Sequence, residues 1–375
     1  MDILLRTQQL ATAFSFEKTV KLEDSRMEIH PFRFESSFHE LKDRKEDVLC
    51  ENKAFNYFVF SPSGKETNGQ AILLLHGLNE RSWKKYLVWA EYLAQTTRKP
   101  VILFPLALHM NRTPESWMNP QLARPWADQR NREIPGLENA TFMNVALSSR
   151  LSQNPLRFYT SGLETVYNLI QLVTEIKNGN HPLFKENTDI HLFAYSIGAL
   201  ISEVLVLANP DNLFAGSRLF MFCGGAVFNE MNGNARDIMD SVANERLHHY
   251  YANDFLDNPP TVDSHIADTV KKAFRALIRT DVLRDYRETF FRQASDRIRV
   301  LSLKADTVIP TQGTVASLGN ASGKITEELD FQYPYSHQLP FPLSTHSNTS
   351  KELINESFEA VFSRAACFLG FQTAS

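Results

Sequence analysis

A serine hydroxyl attacks a carbonyl carbon only when an imidazole takes its proton and a carboxylate holds that imidazole in the right tautomer. Three separated segments of this chain carry such groups. Ser196 lies in His191-Leu192-Phe193-Ala194-Tyr195-Ser196-Ile197-Gly198-Ala199-Leu200, where an apolar run enters the serine and a helix-compatible stretch, 199–208, leaves it. Small residues two before and two after the serine, Ala194 and Gly198, suit a turn in which strand and helix backbones crowd together. Asp306 stands in Lys304-Ala305-Asp306-Thr307-Val308-Ile309-Pro310, just past the apolar run 298–303. For the base, His337 follows the strand-like stretch 325–333 in Pro334-Tyr335-Ser336-His337, and His346, nearer the final helical pattern, is its rival. Glu230, Asp237 and Asp240 follow an earlier strand and are alternative sources of the acid.

Attack by serine builds negative charge on the carbonyl oxygen, and two fixed N–H donors must meet it. Ile197, next to Ser196, is placed to give one. Leu78 is placed to give the other, in Leu73-Leu74-Leu75-His76-Gly77-Leu78-Asn79-Glu80-Arg81-Ser82-Trp83. Gly77 permits close backbone approach because it has no Cβ, and His76 reads as a brace for this loop. Asn79, Tyr195, His109 and Arg112 are the candidates to line a substrate pocket.

The elements that must position these residues are legible as a repeating pattern. Short runs apolar on both faces, at 71–75, 101–104, 190–194, 219–222 and 298–303, are the signature of buried parallel strands. Helical spacing of apolar residues fills 83–96, 161–176 and 351–369 between or after them. Such alternation predicts an α/β protein: a mostly parallel sheet covered by helices on both faces. Two stretches interrupt it. The proline-rich 106–158 reads as a long ordered loop, and 229–280, with a stripe of Ile266, Val270, Phe274, Leu277 and Ile278, reads as a helical cap insertion. Residues 1–50 are charge-rich and weakly periodic, and read as an N-terminal extension over the main domain. The core is then 51–228 and 281–375.

Composition narrows the function classes. A net charge of −4 at pH 7 over 375 residues lacks the basic footprint of a nucleic-acid binder. The three cysteines are far apart, with no C-x-x-C pair. No apolar stretch reaches the ~20 residues of a membrane span, and the N-terminus lacks a signal-peptide pattern. The expectation is therefore a cytoplasmic protein. No G-x-G-x-x-G or phosphate-loop pattern occurs, and Glu245-Arg246-Leu247-His248-His249 lacks metal-ligand spacing, so neither cofactor nor metal is expected. Oligomeric state leaves no mark in the sequence.

In order and context, these segments resemble the α/β-hydrolase superfamily over roughly 55–370. The stretch around Ser196 resembles its nucleophile elbow, G-x-S-x-G, with Ala194 in place of the first glycine. The order serine, acid, histidine is that of the superfamily. Residues 76–83 together with His109-Met110-Asn111-Arg112 are similar to a bacterial group described only as a domain of unknown function. The resemblance implies the α/β-hydrolase fold and a Ser196–His337–Asp306 triad with an oxyanion hole. It names no substrate; because such a constellation serves acyl transfer most often, the default is a small-molecule acyl substrate, a carboxylic ester or related acyl bond. An acyltransferase using the same triad and a non-catalytic binding protein of the same fold are the alternatives.

Overall fold

The computed structural model describes residues 1–38, 49–64, 69–257, 268–342 and 350–370. Nine strands form one sheet: β1 (Val20–Leu22), β2 (Met27–Glu35), β3 (Ala54–Pro62), β4 (Gln70–Leu75), β5 (Val101–Leu103), β6 (Asp189–Tyr195), β7 (Leu219–Phe222), β8 (Ile298–Leu303) and β9 (Thr326–Leu329). Their spatial order is β1-β2-β3-β5-β4-β6-β7-β8-β9. From β5 to β9 every neighbouring pair is parallel, whereas β3 runs antiparallel to both β2 and β5. This is the α/β-hydrolase fold, with β1 added at one edge. Because β5 and β6 flank β4 on opposite sides, the strand order reverses there. Open α/β sheets hold their ligands at such a switch point, beyond the strand C-termini. His76 leaves β4 and Ser196 leaves β6 at that place.

The all-apolar strands follow from coverage on both faces. Helices Leu156–Lys177 and Ile197–Ala208 bury Leu163, Val166, Leu169, Val204 and Leu205 against one face. Helices Lys84–Thr97 and Lys351–Gly370 bury Leu87, Leu93, Phe358 and Phe362 against the other. Each buried aliphatic or aromatic side chain contributes roughly 1.5–3 kcal/mol, so the two apolar layers fix the sheet in place.

The N-terminal 50 residues do more than lie over the domain. Helix Ile3–Ala13 buries Ile3 and Leu10 in the second apolar layer, and β2 pairs with β3 along its whole length. Pro31 obscures this strand in the sequence, yet β1 pairs only with Met27–Ile29, which leaves Pro31 on the sheet's edge where no N–H is needed. The charge run at 41–47 lies outside the described residues.

The stretch 106–158 is helical rather than a loop. After a 3₁₀ turn at Met110–Arg112 come helices Glu115–Met118, Pro120–Glu133 and Val145–Gln153. Pro120 starts its helix behind an Asn119 cap, a position where proline costs no hydrogen bond. These helices dock on the described part of 229–280. Arg130 forks onto the Asp240 carboxylate at 2.6 and 3.0 Å. The Ser148 hydroxyl accepts from Asp240 N–H, and Asn144 donates to the carbonyls of Ala235 and Arg236. Asp240 also caps helix Ser241–Ala252. The covering over the sheet's edge is thus built from two segments. Ile266 of the anticipated stripe lies outside the described residues, while Val270 and Phe274, on helix Asp268–Ala276, are buried in the main core.

Candidate active site

Ser196 occupies the turn between β6 and the helix that follows, with φ 58° and ψ −124°. A non-glycine residue in that region stores roughly 1–3 kcal/mol of strain, sustained by the packing around it. The crowding is direct. A Cβ at position 198 would stand 2.7 Å from the Leu75 carbonyl oxygen and 2.8 Å from that of His76. At position 77 it would press on the Tyr195 ring at 3.1 Å, with Ser196 Cβ 3.4 Å away. Glycine at these two places lets the strand-to-helix turn and the loop after β4 lie against each other.

His337 and Asp306 reach Ser196 from two other loops. Ser196 Oγ lies 2.7 Å from His337 Nε2, and His337 Nδ1 lies 2.7 Å from Asp306 Oδ2. A carboxylate only accepts, so Nδ1 carries the ring proton and Nε2 is left to accept from the serine hydroxyl. Asp306 is aimed by its own turn: Oδ1 accepts from the N–H groups of Val308 and Ile309, both at 2.9 Å. Helix Thr311–Leu318 begins behind Pro310, so Asp306 does not cap it. Asp240, weighed as an acid, is committed to Arg130 and its helix cap. All three side chains of the Ser196–His337–Asp306 chain are buried. His346, the rival base, lies outside the described residues.

The loop carrying His337 is held by neighbours on every side. The Tyr195 hydroxyl donates to the His337 carbonyl, and its ring stacks on the imidazole with centroids 5.5 Å apart. Lys85 pairs with Glu80, donates to the Gln338 carbonyl at 3.1 Å and sits 4.8 Å above the Tyr195 ring. Tyr335 accepts from Ala305 N–H, which ties the histidine loop to the aspartate turn. Phe341 then enters an aromatic cluster with Phe222, Phe331 and Phe358.

His76 braces the loop after β4. Its Nδ1 lies 2.8 Å from the Gly77 carbonyl, so Nε2 accepts from Leu106 N–H at 3.0 Å. Burial holds its pKa well below the usual histidine value. Leu78 and Ile197, whose amides are expected to face the developing charge, both border two pockets, one of which is lined by Ser196. Ile197 opens its helix, where backbone geometry provides no acceptor within the helix for its N–H.

The other expected pocket residues divide. His109 lines a pocket with Leu78 and Ile197. Arg112 does not face ligand space: it is wholly buried and donates to Asn52, Glu164, Asn168 and the Pro105 carbonyl. Asn79 is turned to the two covering segments, its amide donating to the Met143 and Asp237 carbonyls at 2.9 and 2.8 Å. Tyr195 lies beneath His337 and serves its loop. Sequence reasoning missed the residues that line the second pocket, among them Phe228, Met231, Ile238 and Leu247. Their signal was a scatter of apolar residues in the cap segment, with no period to single out a pocket wall.

Among the described residues, one trio of metal-donor types converges. Cys223, Asp306 and His337 present their donor atoms within 4.8 Å of one another. Burial and the adjacent Asp306 push the Cys223 thiol well above its usual pKa, so it is protonated, and the other two are already spent on each other. A protonated thiol is a poor ligand.

A model of a family of unknown function (DUF6051) matches residues 17–370. None of the curated proteins matches the chain in sequence. Among solved structures, the chain is similar to a hyperthermophilic esterase from Pyrobaculum calidifontis (11% identity, 98% of this chain and 88% of that one, TM-score 0.47). It is also similar to EstE1, a carboxylesterase cloned from a metagenomic library (10% identity, 99% and 96%, TM-score 0.43). Its likeness to an acylaminoacyl peptidase from Pyrococcus horikoshii (12% identity, TM-score 0.46) covers 98% of this chain and 44% of that one. Among the described residues no helix is long and apolar enough to cross a membrane.

Proposed function

This chain belongs to the family of unknown function DUF6051, and we propose that it is a serine hydrolase that cleaves a carboxylic ester or a related acyl bond. One observation carries the reading. A serine on a strained strand-to-helix turn, an imidazole and a buried carboxylate form a continuous chain with both contacts at 2.7 Å.

In the proposed reaction Ser196 Oγ attacks the acyl carbon while His337 Nε2 takes its proton. Asp306 keeps Nδ1 protonated and stabilises the imidazolium that forms. The N–H groups of Ile197 and Leu78 hold the oxyanion. His337 then returns the proton to the leaving alcohol, and an acyl group remains on Ser196. Water, deprotonated by His337, releases the acid and restores the hydroxyl. The pocket bordering Ser196 is walled by Phe228, Met231, Ile238, Met239, Leu247 and Ile309, which favours an apolar group on one side of the scissile bond.

A fluorophosphonate probe tests this directly, because it phosphonylates only an activated serine. Wild type is expected to label and Ser196→Ala to stay unlabelled while keeping its far-ultraviolet circular dichroism. Labelling that persists in Ser196→Ala, or fails in wild type, refutes the assignment.

A further inference from the structure

Two pockets meet at the ridge formed by Leu78, Phe158 and Ile197, and they differ in one respect. The pocket away from Ser196 is small, about 30 Å³, walled chiefly by Leu106, Leu200, Ile201 and Phe274 besides the ridge itself. Its hydroxyls are spent. Ser161 donates to the Phe158 carbonyl at 3.0 Å; Thr165 donates to the Ser161 carbonyl at 2.8 Å and accepts from Ala107 N–H at 2.9 Å.

His109 is the exception in this wall. The ring is 8% exposed, and its Nδ1 lies 2.8 Å from the Ala107 carbonyl oxygen. A carbonyl only accepts, so Nδ1 bears the proton and Nε2 bears a lone pair. That Nε2 is buried and has no hydrogen-bond partner. Burial also keeps the ring neutral, with its pKa pushed down to about 4. The atom therefore offers an acceptor without charge. It suits a hydrogen-bond donor and gives no attraction to a carboxylate. Buried acceptors are nearly always satisfied, so one left open in a pocket wall marks a position for a ligand group.

We infer that this pocket receives a short acyl group carrying a hydrogen-bond donor, a hydroxyl or an amide N–H, which donates to His109 Nε2. The inference rests on the serine-hydrolase reading and narrows its substrate class. The small volume admits only a few non-hydrogen atoms. The rest of the wall is apolar, so an unsubstituted acyl chain of the same length fits but leaves Nε2 unpaired. A site built to bond a substrate hydroxyl discriminates against the analogue that lacks it.

The test uses the full chain and three p-nitrophenyl esters: butyrate, 3-hydroxybutyrate and N-acetylglycinate. Wild type is expected to show kcat/KM at least ~10-fold higher for one of the two donor-bearing esters than for butyrate. Its identity separates the hydroxyl from the amide. His109→Phe keeps an aromatic ring in the wall but removes donor and acceptor, and His109→Leu removes the ring as well. In each variant the ratio is expected to collapse toward about 1, a change that general loosening of the loop would not produce, since it slows all three esters together. If wild type hydrolyses butyrate as fast as both donor-bearing esters, the inference fails and the serine-hydrolase reading stands. A preference that survives in both variants removes His109 from the account. Absence of turnover on all three, together with absence of fluorophosphonate labelling, overturns both.

Discussion

Glu203, on the helix that leaves Ser196, supplies the sharpest stability prediction. It is wholly buried, and neither carboxyl oxygen has a hydrogen-bond partner. The nearby Arg287 gives only a distant Coulombic pull, since its donors are taken by the carbonyls of Ala276, Thr280 and Ser317. Burial, partly offset by Arg287, raises the Glu203 pKa from 4.5 to about 8. Below pH 4.5 the carboxyl is protonated in both folded and unfolded chains and does not affect the balance. Between pH 4.5 and 8 the unfolded chain releases this proton while the folded chain keeps it. The folded state then binds more protons, and stability falls as pH rises. At 1.36 kcal/mol per pH unit, the cost reaches about 3 kcal/mol at pH 7. Glu203→Met replaces the carboxyl with an apolar group of similar length and removes that term. Urea unfolding at pH 5, 6, 7 and 8 is expected to show the variant gaining on wild type by ~1.4 kcal/mol per pH unit, up to pH 8. An equal pH slope in the two proteins, or a variant less stable than wild type at pH 8, refutes the reasoning.

Two further substitutions probe the site. Asp306→Asn leaves the turn nearly isosteric but no longer fixes the proton on His337 Nδ1, and kcat on an ester substrate is expected to fall by about 10⁴-fold. A loss under tenfold would remove Asp306 from the triad. Gly198→Ala places a methyl 2.7 Å from the Leu75 carbonyl oxygen. It is expected to cost roughly 1–3 kcal/mol in denaturant unfolding. Ester turnover should fall with it, by about 10²-fold if the loop after β4 moves by 1 Å.

How much of this was readable in the sequence depended on whether the signal was local. The parallel strands are continuous apolar runs, and their covering helices carry a 3.6-residue stripe, so both are written in short windows. The turn around Ser196 is also local: Gly198 and the preceding apolar strand sit within ten residues of each other. Elements with mixed signals were lost. In β2, Pro31 and alternating charges mask a strand that lies at the sheet's edge. In helix Pro120–Glu133, Pro125 reads as a breaker and few residues are apolar, since only Ala123 and Ala127 are buried. Pocket residues were only partly legible, for a different reason. Arg112, Asn79 and His109 are all polar residues near the sheet's C-terminal edge, alike in one dimension. What separates them is partners at 52, 105, 164 and 168 for Arg112, and at 143 and 237 for Asn79. Such partners are set by folding and have no trace in the neighbouring sequence.

The distribution of these contacts says where the site is rigid and where it can differ. Tyr195 precedes Ser196 in the chain and holds the carbonyl of His337, so β6 and the turn after it position both groups. Asp306 is fixed by two amides of its own turn, and Ala305 beside it is tied through Tyr335 to the histidine loop. The serine, imidazole and carboxylate are thus braced chiefly from the sheet and the loops that leave it. The walls of the apolar pocket come largely from 228–248, a segment anchored to 139–148 through Asn144, Thr141 and Ser148. Asn79 joins both covering segments to the loop that carries Leu78, so their placement and the Leu78 amide, the proposed oxyanion donor, are mechanically linked. Substitutions in the cap can reshape the pocket without disturbing the serine–histidine contact. They reach the loop of Leu78 through Asn79, and the Asp306 turn through Asn232, whose N–H donates to the Val308 carbonyl at 2.7 Å.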